Sequence, residues 1–399
     1  MFLFIRLLRL TTALLFIALS LMACSSHSVS RHSNIILSSK KNLSTDGVVH
    51  RIALLVPLQG PLASIGQSVK QGFLAAAQEA GAAQQVIVIN TSTGPSIQSA
   101  YTLALTKKVQ FIVGPLLKPQ VQLLASLQPR MPVLTLNYLN SDISTPIGLY
   151  QFGLSPLDEV QQATQVAWQK GYRSALIITT HGSWGTQIGE AFALQWQTLG
   201  GKVVDQIALS QNSAETTRQM SRFLHFQAPH ERRTDFDVIF LASGPPIGRQ
   251  VKPLLKFFYA GDIPVFATAA IYSGMPQSQR LDSDLNQIIF CAAPWSLAKS
   301  NIEQLLYAQL KTASPGYFGR DCKYYALGID AFHITQQLAR LNQSPQQKLV
   351  GATGLLSLNR QRRIVRQLPC AQFRHRNVVL IDQRARLSIQ KNWVNKPKT

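Results

Sequence analysis

Between Arg51 and Ala270 the chain switches repeatedly between two hydrophobic periods. Short unbroken apolar runs, such as "RIALLVPL" (51–58) and "QQVIVINT" (84–91), have the length and β-branched content of strands buried on both faces. Between them lie longer segments whose apolar residues recur every three or four positions, the spacing of an amphipathic helix. "ASIGQSVKQGFLAAAQEAG" is one, ending at Gly81, a residue suited to a helix C-terminus. The series continues with helix 96–108, strand 109–116, helix 119–128 and strand 131–138. "LYQFGLSP" (149–156) reads as a crossing segment, after which the alternation restarts. The second series runs helix 157–171, strand 174–180, helix 184–201, strand 202–209, helix 213–226, strand 237–243, helix 247–261 and strand 264–270. Such β-α-β-α order predicts doubly wound, mostly parallel sheets, and its restart predicts two similar lobes of an α/β fold. A long helix, "CKYYALGIDAFHITQQLARL", then returns to the first lobe, and "GATGLLSLNRQRR" opens a closing hairpin region. The expected boundaries are 51–150 plus 292–345 for lobe one and 155–290 plus 350–385 for lobe two.

The first 50 residues follow neither period. Arg6 and Arg9 precede an apolar stretch, Leu10–Leu21, shorter than the roughly 20 residues that span a bilayer and fitting the core of a signal peptide. "LMAC" at 21–24 resembles the bacterial lipobox, which implies cleavage after residue 23 and lipidation of Cys24. Ser25 in place of Asp implies sorting to the outer membrane, with the chain facing the periplasm. Residues 24–50, rich in Ser and Asn, are expected to be a flexible tether.

Charge narrows the partners. The chain carries 39 Lys and Arg against 18 Asp and Glu, net +21. From Arg360 onward there are eleven basic residues and one acid, Asp382. A field of that sign attracts polyanions. Export disfavours nucleic acid and leaves lipopolysaccharide, cell-wall polymer or acidic protein surfaces. Three cysteines besides Cys24 remain, Cys291, Cys322 and Cys370; one bridge or three buried thiols both fit an oxidising compartment. No Cys-x-x-Cys pair or His/Cys cluster at metal-ligand spacing occurs, so neither a metal nor another cofactor is expected. Ser296-Leu-Ala-Lys299 spells the S-x-x-K of penicillin-recognising enzymes but lacks its S-D-N and K-T-G companions. An enzyme is not expected.

"RIALLVPLQGPLASIGQSVKQGFLAAAQEAG" resembles the opening of a type I periplasmic-binding fold. With "FIVGPLLKPQVQLL", "PVLTLNY", "YQFGLSPLDEVQQA", "YALGIDAFHI" and "GATGLLSLNRQRRIVRQLP", in that order, it is similar to the LppC/LpoA family of outer-membrane lipoproteins, activators of penicillin-binding proteins. The resemblance covers about 50–370. It implies a non-catalytic protein that binds and stimulates a bifunctional peptidoglycan synthase (a penicillin-binding protein). Long family members carry a helical-repeat domain ahead of this fold, where this chain has the short tether. The same fold also serves solute-binding proteins for amino acids or similar ligands of ABC transporters, which is the competing reading.

In open α/β sheets ligands lie beyond the carboxyl ends of the strands. The loops there offer Gln59, Gly60, Pro61, Ser64, Gly114, Pro115, Leu116, Asn137 and Tyr138 from the first lobe. The second offers His181, Ser183, Trp184, Ser243, Gly244 and Tyr272. Arg362, Arg363 and Arg366, in the basic C-terminal region, are the expected partner contacts, because a planar guanidinium suits bidentate binding of carboxylates.

Overall fold

The structure, a computed structural model, describes residues 35–36, 51–92, 96–140, 142–227, 231–274, 281–297 and 322–381. The expected signal segment, Cys24 and the basic residues after 381 lie outside them, as does Lys299 of the S-x-x-K stretch.

The first lobe is built on five parallel strands: β1 (Ile52–Val56), β2 (Val86–Asn90), β3 (Phe111–Val113), β4 (Val133–Thr135) and β5 (Leu149–Gln151), in the spatial order β2-β1-β3-β4-β5. β1 is the central case. All five of its residues are buried, which is why its sequence shows no alternation. Helices α1 (Ala63–Glu79), α2 (Ile97–Thr106) and α3 (Lys118–Ser126) connect the first four strands. The crossing segment of the sequence therefore starts later than its pattern indicated. Leu149–Gln151 pair with Val133–Thr135 as a fifth strand, and the chain leaves the lobe only after Gln151. Three residues are too few to display a period.

The second lobe carries α4 (Pro156–Gln169), β6 (Ser174–Thr180), α5 (Ser183–Thr198), β7 (Lys202–Leu209), α6 (Ser213–Phe223), β8 (Val238–Ala242), α7 (Pro245–Phe257), β9 (Val265–Thr268) and β10 (Ile289–Cys291). These five strands run parallel in the order β10-β9-β8-β6-β7. Leu176, Ile239 and Leu241 face one hydrophobic cluster and Ala175, Ile177 and Phe240 the other, so both faces of this sheet are covered.

A helical turn at Pro294–Leu297 precedes α8 (Cys322–Gln343), which packs along α1 in the first lobe. Small residues let the two backbones meet. A Cβ placed on Gly72 would collide with the Tyr325 carbonyl oxygen, and one on Gly328 with that of Val69. The closing strands then split between lobes. β11 (Lys348–Val350), β12 (Leu355–Leu358) and β13 (Ile364–Gln367) form a small sheet whose Leu349, Leu356, Leu358 and Ile364 join the first-lobe core. Only β14 (Cys370–Arg374) and β15 (Asn377–Leu380) extend the second-lobe sheet, β14 lying antiparallel to β10. Residues 350–367, expected in lobe two, thus pack with lobe one. Ile35–Ile36, inside the expected tether, pair in parallel with Lys348–Leu349 at the edge of that small sheet.

The chain crosses between lobes after β5, after β10 and after β13. Two of these crossings are joined covalently: Cys291 and Cys370, partners in the β10–β14 register, form a disulfide across 79 residues of chain.

Candidate functional site

The first-lobe loops proposed to line a cleft are largely occupied by their own packing. Gln59, Gly60 and Pro61 stand exposed in a 3-10 turn, and the Gln59 carbonyl accepts the Ser92 hydroxyl at 3.0 Å. Ser64 lies half-buried in the first turn of α1. Gly114, with φ of 102°, and Pro115 are buried and form the turn after β3, where the Pro115 carbonyl accepts Leu136 N–H. Asn137 donates Nδ2 to the Leu116 carbonyl (3.0 Å) and accepts Tyr138 N–H. Tyr138 is buried, donates its hydroxyl to the Gly153 carbonyl (2.8 Å) and carries the Arg363 guanidinium 3.7 Å above its ring. Burial, the largest influence, pushes its phenol above the usual range.

On the second lobe, His181 and Ser183 are exposed beside one another, while Trp184 packs on the α4/α5 side of the core. Ser243 is fully buried, and among the described residues its hydroxyl has no partner. Gly244 is the N-cap of α7. Tyr272 is partly turned inward. Its ring lies 5.3 Å from Phe290 and 5.9 Å from Phe373, so the half-buried side chain leans against the core cluster of the second lobe. The sequence placed it after a strand; only packing shows which way it turns.

The arginines need a larger correction. Arg366 is 5% exposed and donates Nε to Asp158 (2.8 Å) and Nη2 to the Ser155 carbonyl (3.0 Å). Reversing its charge would set a third carboxylate against Asp158 and Glu159. It is an internal tie, not a docking contact. Arg363 lies over Tyr138, and Arg362 donates Nη1 to the Pro146 carbonyl (2.8 Å) while its own carbonyl accepts Gln151 N–H. All three arginines sit on or beside the β12–β13 turn and reach into the region where the chain crosses between lobes.

This crossing holds the polar centre that sequence reasoning missed. Ser155 caps α4 by accepting Leu157 N–H, Pro156 occupies its first turn, and Asp158 and Glu159 follow, where the helix dipole favours negative charge. Glu159, half-buried, accepts the Ala269 N–H at the end of β9 (2.8 Å). Burial raises its pKa to about 7, against the pull of Arg366, the Ala269 N–H and Lys323. Burial likewise raises Asp158, and the adjacent Arg366 only partly offsets it. On α8, Asp330 accepts Ala352 N–H (2.7 Å) and both the N–H and hydroxyl of Thr353 (2.7 and 2.6 Å), with its pKa pushed to about 6 by burial. A polar hollow of about 310 Å³ opens between α4 and the small sheet, lined by Gln161, Gln165, Lys348, Ser357, Arg366 and Gln367. "SPLDEV" carried a readable signal, a capped helix start with adjacent acids in an acid-poor chain. Its partner Arg366, 208 residues away, was marked only as one of a basic stretch, with nothing to pair it with Asp158.

Among the described residues no group of three His, Cys, Asp or Glu side chains is placed to hold a metal ion. Among the described residues the Arg366–Asp158 ion pair, the Ser155 cap and the Cys291–Cys370 disulfide tie the crossings together.

A family model described as "LppC putative lipoprotein" matches residues 23–376. Penicillin-binding protein activator LpoA of Vibrio cholerae serotype O1 is 25% identical over 350 residues, covering 80% of this chain and 56% of that protein. The chain thus spans little more than half the length of the curated relatives it matches. The LpoA C-domain of Haemophilus influenzae, a regulator of PBP1A, superposes with a TM-score of 0.71 at 25% identity, covering 83% of this chain and all of that domain. A solute-binding protein of an ABC transporter from Rhodopseudomonas palustris, in complex with 4-hydroxybenzoate, superposes at 0.52 with 17% identity, covering 83% of this chain and 95% of that one, a likeness of fold alone. A two-lobed periplasmic-binding-like fold, and a family match running through both lobes to the β14–β15 turn, make this chain a member of the LppC lipoprotein family.

Proposed function

We propose that this chain is a non-catalytic lipoprotein of the outer membrane, anchored through Cys24, whose two-lobed domain binds a bifunctional peptidoglycan synthase from the periplasmic side and stimulates it. The observation that carries the reading is the match to the whole H. influenzae LpoA C-domain, itself a regulator of PBP1A. The candidate cleft supports it. Asn137 and Tyr138 spend their polar groups on the Leu116 and Gly153 carbonyls of the chain itself, which leaves them less to offer a small ligand. The solute-binding reading rests on fold alone.

The test is reconstitution. The mature protein is added to the purified synthase of the same bacterium with its lipid-linked substrate, and glycan polymerisation and peptide cross-linking are followed. Either rate should rise with added protein and saturate. Unchanged rates in both assays, with binding absent, would refute the reading.

A further inference from the structure

Charge is divided unevenly between the lobes. The segment 51–154 holds six bases (Arg51, Lys70, Lys107, Lys108, Lys118, Arg130) and two acids (Glu79, Asp142), whereas 155–297 holds eleven of each. None of the six makes an ion pair among the described residues; the six ion pairs all involve second-lobe carboxylates. The first lobe therefore presents uncompensated positive charge.

One apolar side chain stands within that field. Ile147, just before β5, is 81% exposed, more than any other large hydrophobic residue described. Its neighbour Gly148 is pressed against the preceding loop: an added Cβ would strike the Pro129 carbonyl oxygen and lie 3.0 Å from the Arg130 carbonyl carbon. The backbone of Arg130, an exposed residue, thus lies against the residue that follows Ile147. Arg362 donates to the Pro146 carbonyl (2.8 Å), and Arg360, two residues before it in the same turn, is exposed. Asp142 is the one carboxylate in the 139–148 loop. An isolated exposed isoleucine needs no explanation by itself. One whose chain neighbours Pro146 and Gly148 lie against Arg362 and the Arg130 backbone has the makings of an apolar anchor with a basic rim.

We infer that Ile147, with Arg130 and Arg360, forms the docking point of an acidic protein surface bearing an apolar socket. The inference rests on the regulator reading above and places the synthase contact on the first lobe, beside β5. Surplus charge steers association, and the anchor supplies residence time once water is excluded.

The probe is the purified synthase, with dissociation constants measured across a salt series. Ile147→Asp should weaken binding about tenfold or more, as loss of a hot-spot anchor does. The double variant Arg130→Glu/Arg360→Glu should slow association and flatten the salt dependence. Lys202→Glu, an exposed reversal on the second lobe, should bind like the parent. Unfolding midpoints verify folding, since the four altered side chains are exposed. If the parent binds and the first-lobe variants bind equally well, the docking point is wrong and the regulator reading stands. If the parent does not bind, both fall. If Ile147→Asp loses binding to anionic lipid vesicles but not to the synthase, the patch is a membrane contact and the inference is overturned.

Discussion

At the scale of single residues, Arg366 and Glu159 show how burial changes a side chain's task. Arg366 sits in a basic C-terminal stretch, yet it is the arginine folded inward, because Asp158 and the Ser155 carbonyl await it. Breaking such a pair leaves the other charge buried and unpaired, which costs more than the pair contributes. Glu159 lies beside the same cluster, facing Arg366, Lys323 and Asp158. Its folded pKa, about 7, stands above the ordinary 4.5, so the folded protein holds that proton more tightly than the unfolded chain. The stabilisation is complete below about pH 4.5 and is lost as pH rises through 7. Glu159→Gln keeps an acceptor for Ala269 N–H and removes the titration. The variant should therefore match the parent in thermal midpoint at pH 4 and exceed it by about 2 °C at pH 8. A gap that does not change between the two pH values would show that Glu159 titrates normally.

At the scale of elements, the α1–α8 crossing makes opposite demands on Gly328. Alanine is the better helix former by about 1 kcal/mol, so propensity alone predicts that Gly328→Ala stabilises. The crossing predicts the reverse, since the new methyl group would meet the Val69 carbonyl oxygen and press on Phe73 N. Overpacking of this kind costs roughly 1–3 kcal/mol. We expect the urea midpoint to fall, with the slope unchanged. A raised midpoint would mean the helices can part at little cost, and that the first-lobe core does not depend on their closeness.

At the scale of the whole molecule, attachment and charge can be separated. A net charge of +21 can hold a protein to an anionic surface, but only within a Debye length of about 8 Å at physiological ionic strength. A lipid on Cys24 is indifferent to salt. Cys24→Ala should thus move the protein from the membrane fraction to the soluble periplasmic fraction once the membranes are washed at high salt. Retention after that wash would require a different anchor.

The sequence by itself determined the order of elements and the two-lobed class, because both depend on local periodicity: unbroken apolar runs such as Ile52–Val56 for buried strands, and three-to-four spacing for α1, α4 and α5. It also determined the surplus of positive charge, which is a sum and needs no geometry. It left the cysteines open, and the register of β10 against β14 decided that Cys291 meets Cys370. It placed Tyr272 after a strand without saying which face its ring would take. It marked Arg362, Arg363 and Arg366 as equivalent by composition, and the fold gave each a different partner: the Pro146 carbonyl, the Tyr138 ring and Asp158. The reason is common to these cases. Period and propensity act over a few residues, whereas a buried charge is satisfied by whatever the tertiary fold brings within hydrogen-bond reach, here from 208 positions away.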